Sequence, residues 1–562
     1  MSSSPRMPMW TKRFLAAAIA AVTAVPAGAQ APAGTFGETL EVRVVNIEVV
    51  VVDRAGNRVT GLGPEDFKLL VDGKPAPIEY FTEVRGGGAV AASAAPGAGA
   101  APTQGVPALA PGGAVGTSYL VFVDDLFSIT RDRDRVLEAL RRDVAQLGPE
   151  DRMAIVAYNG RRLEMLSSWS QSVAVLDRAL RKASERPAFG LQRLSELRIN
   201  DRDRQMRRQT VSFGVGGTIS GRDIVSQLDL SERAYASQLA EQVQGSVAAA
   251  AATLRSFAQP PGRKVMLLLS GGWPYIPVEY TVNDFARPVS DTSIPGGEPL
   301  FRPLADTANL LGYTIYPVDV PGLQGQSINM DEGSADDAQA AILEARSREQ
   351  ENEFSLLYVA KETGGEALLN GLREKALSEA AADTRSYYWL GFTPARRGDD
   401  KRSQIRVEVN RPGLKVRSRD SFLDLSKRHE VSMEVESALL FGNPPSMRSL
   451  TVAVGKPQKA SMGTVKLPLE ISIPLDSITM VPIEGRYVAD LELRVAALDE
   501  AGRRSEVPVL PFQITGHRAP FPGQQVKYET TLELRRSRQQ IVVAVYDKAS
   551  GNLLSSTLEV AP

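Results

Sequence analysis

The chain has 562 residues, 43% hydrophobic and 23% charged, with a formal net charge of −1 and no cysteine. That length implies about two to four domains with ordinary cores. The balanced charge supplies no field that would draw the chain to nucleic acid or an anionic membrane. The lack of thiols excludes disulfides, lipoprotein anchoring, thiol catalysis and thiolate metal sites.

The first thirty residues have the layout of a signal peptide. Lys12 and Arg13 form a positive n-region, Phe14 to Val25 a short apolar run, and Ala27-Gly28-Ala29 an A-x-A cleavage site. Removal of 1–29 predicts an exported chain, periplasmic or extracellular, where a cysteine-free sequence avoids stray oxidation. The run is short and Ala-rich for about 30 Å of hydrocarbon, and no later stretch predicts a membrane span.

Glu41 to Val52 (EVRVVNIEVVVV) alternates and is rich in Val, which predicts a strand. Asp53 to Asn57 is a turn, and Arg58 to Thr60, Asp66 to Val71 and Ile78 to Val84 add short strands. Four strands in so few residues bury little alone, so this unit needs sheet partners from elsewhere. Residues 86–117 are mostly Gly, Ala and Pro and read as a flexible linker.

Strand–helix alternation follows. Tyr119 to Val123, Met153 to Tyr158, Lys264 to Leu269 and Tyr313 to Val318 are apolar strands without alternation. Helices are predicted over Arg131 to Leu147, Ser172 to Lys182 and Leu304 to Leu311. This pattern indicates a mostly parallel sheet covered on both faces. Residues 185–258 form a polar, helical insertion. Its arginine-rich stretch RINDRDRQMRRQT contains Asp201 and Asp203 and reads as a solvated helix of mixed charge. The acidic loop 329–337 lacks EF-hand spacing and reads as solvated.

From Arg385 the period returns to two, with strands over Ser386 to Phe392, Gln404 to Val409 and Leu414 to Ser418. Beyond about Val431, strand–turn units such as Gly463 to Ile473, Arg486 to Leu498 and Gln540 to Tyr546 predict a β-sandwich without helices.

In their order and spacing, several stretches resemble the VWFA-related proteins of acidobacterial type. They are residues 42–84 (with GLGPEDFKLLVDG), YLVFVDDLFS, LGPEDRMAIVAYNG, GRKVMLLLSGG, and YYWLGFTP followed by VNRPGLKVRSRDSF. The resemblance covers roughly residues 42 to 425. It implies an exported protein of no known enzymatic activity, with a central von Willebrand A-type (Rossmann-like), doubly wound α/β domain and flanking β-sandwich modules. The fold class is then α/β plus all-β. The expected organisation is an N-terminal β segment at 41–85 and an α/β domain at 118–384. A β segment at 385–428 pairs with 41–85, and a C-terminal β-sandwich spans 429–562.

For such a domain the resemblance also implies a cation site beyond the carboxyl ends of the strands, holding Mg²⁺ or another divalent ion in near-octahedral oxygen coordination. Its ligand set is a D-x-S-x-S loop, a Thr from a second loop and a later Asp. Here Asp124 and Ser128 match the first and last positions of the first loop, but Leu126 replaces the middle Ser. Ser170 corresponds to the Thr, and Gly271 stands where the Asp belongs. Either the reduced set still holds an ion, or the platform has lost it; Ser128 or Thr130 could then cap the following helix. In the second case Asp125, Trp169 and Trp273 are the expected contacts to a protein partner.

Other chemistry finds little support. The only histidines are His429 and His517, and no G-x-S-x-G elbow or phosphate-binding glycine motif follows a strand. The expected function is a non-catalytic binding or scaffold protein of the cell envelope. The alternative is a hydrolase using Asp124 and Asp125, a pair whose adjacent side chains diverge in direction.

Overall fold

The computed structural model describes residues 44–90, 112–213, 230–258, 262–282, 291–321, 335–394, 398–441, 448–461, 463–499 and 509–561. Residues 1–29, expected to be a signal peptide, residues 91–111 of the Gly/Ala/Pro stretch and most of the acidic loop 329–337 lie outside them. The architecture is mixed α/β with β-rich parts. Contacts divide it into one unit over Glu41–Lys427 and a second containing Arg428–Pro562.

The first unit opens with β1 (Val45–Val52), β2 (Phe67–Val71), β3 (Lys74–Ala76), β4 (Tyr80–Arg85) and β5 (Gly88–Ala89). It then runs β6 (Thr117–Asp124), α1 (Thr130–Asp143), β7 (Arg152–Tyr158), β8 (Leu163–Ser170), α2 (Val173–Ser184), α3 (Gly190–Phe213) and α4 (Leu230–Ser256). Next come β9 (Arg263–Ser270), α5 (Pro277–Val282), α6 (Glu298–Leu311), β10 (Tyr313–Asp319), α7 (Ala335–Thr363) and α8 (Ala376–Arg385). It closes with β11 (Ser386–Phe392), β12 (Arg402–Val409), β13 (Lys415–Arg417) and β14 (Ser421–Leu423).

The chain before and after the α/β part folds together. One sheet has the order β13-β1-β11-β4-β5 and another β14-β12-β2-β3, and their inner faces share a core of Ile47, Val49, Val51, Phe67, Phe81, Tyr388, Leu390, Ile405 and Val407. The opposite face of β1 is also covered, with Val50 packed beside Val84, Val115, Tyr387 and Trp389. Burial on both faces explains why β1 is almost wholly apolar. The linker expected over 86–117 is shorter at both ends. Ala89 N–H donates to Gly113 O (3.0 Å) and Val115 N–H to Gly87 O (2.8 Å), and β6 begins at Thr117.

The α/β part has the sheet order β10-β9-β6-β7-β8. β10, β9, β6 and β7 are parallel, and the edge strand β8 runs antiparallel to β7. Every residue of β6 and β9 is buried. One face packs on α1, α2 and α8 through Val136, Leu140, Leu176, Leu180 and Leu377; α4, α6 and α7 contact sheet strands as well. In α2 the buried residues Leu176, Ala179, Leu180 and Ala183 recur at i, i+3, i+4 and i+7 and form one stripe. α6 stops at Gly312, whose φ of 70° is the left-handed C-cap that glycine adopts without a Cβ penalty.

Asp383 ties the α/β and β parts of this unit together. Its carboxylate accepts from Arg58 (3.0 and 3.1 Å), Arg417 (2.9 Å) and the Tyr316 hydroxyl (2.8 Å).

The second unit begins with a helix, α9 (Lys427–Phe441), where the periodicity had predicted strands only. Among the described residues the strands that follow are β15 (Arg448–Ser449), β16 (Thr451–Val454), β17 (Gln458–Ser461), β18 (Thr464–Pro474), β19 (Val481–Ile483), β20 (Arg486–Asp499), β21 (Val509–Gly516), β22 (Gln525–Arg535), β23 (Gln539–Asp547) and β24 (Leu553–Val560). One sheet has the path β15-β24-β23-β20-β19 with β21 on β20; the other has β16-β18-β17 with β22 on β18. They share a core of Leu467, Leu469, Ile471, Leu491, Leu493, Ile541 and Val543. α9 covers other residues of the larger sheet, with Val431, Val435 and Leu439 against Ala496, Val542 and Ala544.

Candidate functional site

In the α/β sheet β6 is flanked by β7 on one side and β9 on the other. The order of connection reverses between β6 and β9, so the loops after Asp124 and Ser270 meet at the topological switch point, where open α/β sheets bind ligands.

Asp124, the last residue of β6, is fully buried. Its Oδ2 accepts from Trp273 Nε1 (2.7 Å) and Ser270 Oγ (3.0 Å), and its Oδ1 from the backbone N–H groups of Leu126 (3.1 Å) and Phe127 (3.4 Å). Burial pushes this carboxyl up to about 6, against the opposing pull of the Trp273 and Ser270 hydrogen bonds.

Asp125 is equally buried, at 0% exposure, and meets a different set of groups. Arg133 Nη1 donates to its Oδ1 at 2.6 Å and Arg186 Nε to its Oδ2 at 2.8 Å. Burial raises its pKa while these two guanidiniums lower it. Arg133, also at 0% exposure, is further held by Asp134 and by the Ser184 and Arg186 carbonyls. The adjacent acids thus serve separate structural networks, and neither presents a free carboxylate for acid–base work.

The expected ion ligands do not assemble. Ser128 is buried, and its Oγ has no hydrogen-bond partner. Its carbonyl accepts from Gly190 N–H (2.9 Å), while Phe189 N–H donates to Asp125 O (2.8 Å), so the α2–α3 loop is bound to the β6–α1 loop. The residue preceding α1 is Ile129, and no side chain caps that helix; neither Ser128 nor Thr130 takes the capping role.

Ser170 sits in the wrong place for a ligand. It ends the antiparallel strand β8 opposite Met153, whereas Asp124 is level with Tyr158. Five residues of strand separate these levels, about 16 Å. Ser170 therefore lies toward the amino-terminal ends of the parallel strands, away from Asp124.

Gly271 cannot regain a carboxylate without rebuilding the loop, because a Cβ there would lie 2.0 Å from Phe127 O. The donor set does not fit a hard divalent ion, which needs several free oxygens. Asp124 faces donors, Gly271 faces a backbone carbonyl, and Ser170 is remote. Among the described residues, no three His, Asp or Glu side chains are grouped to hold a metal.

The expected contact residues also require correction. Trp273 has 0% exposure and stacks on Phe301, with ring centroids 6.1 Å apart at 11°. Asp125 is sealed by its arginines. Trp169 is half-buried against Phe257 in an edge-on contact of 5.3 Å, at the same end of the sheet as Ser170. These three residues form no common surface. Both histidines belong to the second unit.

What does open at the carboxyl rim is a cavity of about 280 Å³. Its floor carries Phe127, Gly271 and Asp319 from the loops after β6 and β9 and the end of β10, and its walls come from α3, α4, α5 and α7. The helical insertion thus builds much of the cavity. Arg193 on α3 lies over the Phe127 ring, 4.2 Å from its centroid. Burial lowers the pKa of this guanidinium. Sequence reading missed Arg193, Ser270, Arg133 and Arg186. Of these, only Ser270 carried a local signal, as a hydroxyl ending an apolar strand before two glycines.

No family model and no curated protein matches this chain. Solved structures similar to parts of it include a calcium-binding mutant of Bacteroides uniformis β-glucuronidase 2, at 11% identity and a TM-score of 0.15. That match covers 21% of this chain, which spans only 14% of the glucuronidase chain. The pilus adhesin SpaC from Lactobacillus rhamnosus GG is matched at 9% identity and a TM-score of 0.23, over 79% of this chain and 57% of the adhesin. A protein from Archaeoglobus fulgidus is matched at 10% identity and a TM-score of 0.13, over 20% of this chain and 94% of that one.

Proposed function

We propose that this chain is an exported, non-catalytic binding protein of the cell envelope. In this reading its α/β domain is of the von Willebrand A type and engages a partner at the carboxyl rim without a divalent ion. The observation that carries the reading is the cavity at the switch point between β6 and β9, beside two acids whose carboxylates are consumed by internal donors. The parallel sheet with one antiparallel edge strand and the export-type N-terminus support it. An ion is superfluous here because Trp273, Ser270 and two backbone amides already satisfy Asp124.

The test is capture of envelope proteins on the immobilised chain, with and without EDTA, alongside a rim variant carrying Arg198→Glu on α3 and Glu349→Lys on α7, both of which line the cavity. The expected result is a partner retained in EDTA and lost by the rim variant. Capture abolished by EDTA, or turnover of glycoside, ester or peptide substrates that disappears in Asp124→Asn, would overturn the reading.

A further inference from the structure

Most of the shielded arginines in the first unit have a carboxylate partner. Arg133 and Arg186 pair with Asp125, Arg263 with Glu48, Arg348 with Asp201, Arg402 with Glu362 and Arg417 with Asp383. Arg373 and Arg419 donate to backbone carbonyls instead. Arg193 differs from all of these. It is partly buried on the cavity wall, it hydrogen-bonds the Gln242 side chain through Nη1, and it stacks on Phe127. Glu196 and Asp124 act on it at a distance, and no carboxylate among the described residues is in hydrogen-bonding contact with it. Its remaining N–H donors are open to the cavity, where a carboxylate can meet them with charge-assisted hydrogen bonds.

A second feature of the same cavity asks for the opposite group. Asn352 lines it from α7; its side chain hydrogen-bonds the Tyr280 hydroxyl, while its Oδ1 is buried with no hydrogen-bond partner. Asp201, the acid on the α3 wall, is already held by Arg348 in a two-pronged pair at 2.7 and 2.8 Å. Glu349 and Glu353 on α7 add two more acceptors. Tyr235, Leu239 and Tyr280 supply the apolar surface between these polar groups.

Resting on the binding reading above, we infer that the cavity takes an α-carboxylate flanked by an N–H donor on a compact apolar body. The carboxylate meets Arg193 in a fork, Asn352 turns its covered Oδ1 outward to accept from the N–H, and the apolar side chain lies against Phe127 and the tyrosines. This chemistry is shared by a free N-acyl amino acid and by the C-terminal residue of a protein chain. A volume of about 280 Å³ suits one such residue and little more.

Calorimetry on the signal-free chain tests this with N-acetylphenylalanine and its neutral amide, and with a pentapeptide ending in Phe as free acid or amide. Both free acids, or one of them, should bind saturably, with each amide at least tenfold weaker. Tight binding by the peptide acid identifies a chain terminus as the source; binding by N-acetylphenylalanine alone identifies a small acid. Arg193→Gln should weaken the acid at least tenfold with little effect on the amide. Arg193→Lys should recover part of the affinity. Ala345→Trp, which narrows the cavity while leaving Arg193 and Asn352 in place, should also weaken binding tenfold or more. Equal binding of acid and amide, wild-type affinity in Arg193→Gln, or no binding at millimolar concentrations would overturn the inference. Envelope capture that persists in Arg193→Gln while the acids fail to bind would sink this ligand class alone and leave the broader binding reading intact.

Discussion

Replacing Asp124 with Asn isolates the cost of ionising a fully buried carboxyl. Burial moves this group from 3.8 to about 6 in the folded chain. Between those values the folded state holds the proton and the unfolded state has released it, so the folded chain binds more protons and stability falls as pH rises. At about 1.36 kcal/mol per pH unit, the loss comes to about 3 kcal/mol, fully developed above pH 6. The figure needs no reduction for solvent screening, because Asp124 has 0% exposure. Asn does not titrate. The stability difference between wild type and Asp124→Asn should therefore shift by about 2 kcal/mol between pH 4 and pH 7, in favour of Asn at the higher pH. Urea denaturation at several pH values measures it, and fluorescence includes a local reporter in Trp273, whose Nε1 lies 2.7 Å from Oδ2. Parallel stability curves for the two proteins across this range would refute the reasoning.

Gly271→Ala should cost at least about 2 kcal/mol, because its Cβ would press on Phe127 O at 2.0 Å and backbone cannot yield cheaply. Gly271→Asp should be destabilised likewise and show no melting-temperature rise with Mg²⁺, Mn²⁺ or Ca²⁺; a rise would show that the residues around Asp124 can hold an ion after all. Asp125→Ala strips Arg133 and Arg186 of their shared buried partner and should cost about 3–5 kcal/mol in urea denaturation. Joint replacement by Asp125→Leu with Arg133→Met should recover much of that loss, since no buried charge is then left at Arg133. Asp383→Ala removes the acceptor shared by Arg58, Arg417 and Tyr316 and should cost a similar amount, with faster proteolysis of the β part of the first unit. An unchanged digestion pattern would show that packing alone holds those parts together.

Much of the scaffold was legible in local pattern. YLVFV, MAIVAY and KVMLLL announce strands buried on both faces, and they became β6, β7 and β9. The α9 signal was also present, with Val431, Val435, Ala438 and Leu439 at helical spacing, but strand periodicity downstream masked it. The site was far less legible. Asp124 and Ser128 stood out as oxygen donors, yet a motif shows which groups are near in sequence and not which donors will surround them.

Which segments hide from water is written in the order of residues, because hydrophobic periodicity is a local property of the chain. Strand direction and long-range partners were decided only by tertiary structure. The reversal of β8 carried Ser170 and Trp169 toward the far end of the sheet. Trp273, 149 positions from Asp124, supplied the donor that occupies its carboxylate. A buried charge must find its complement wherever the fold brings one, and the energy of that match depends on ångström-scale distances that no spacing along the chain encodes.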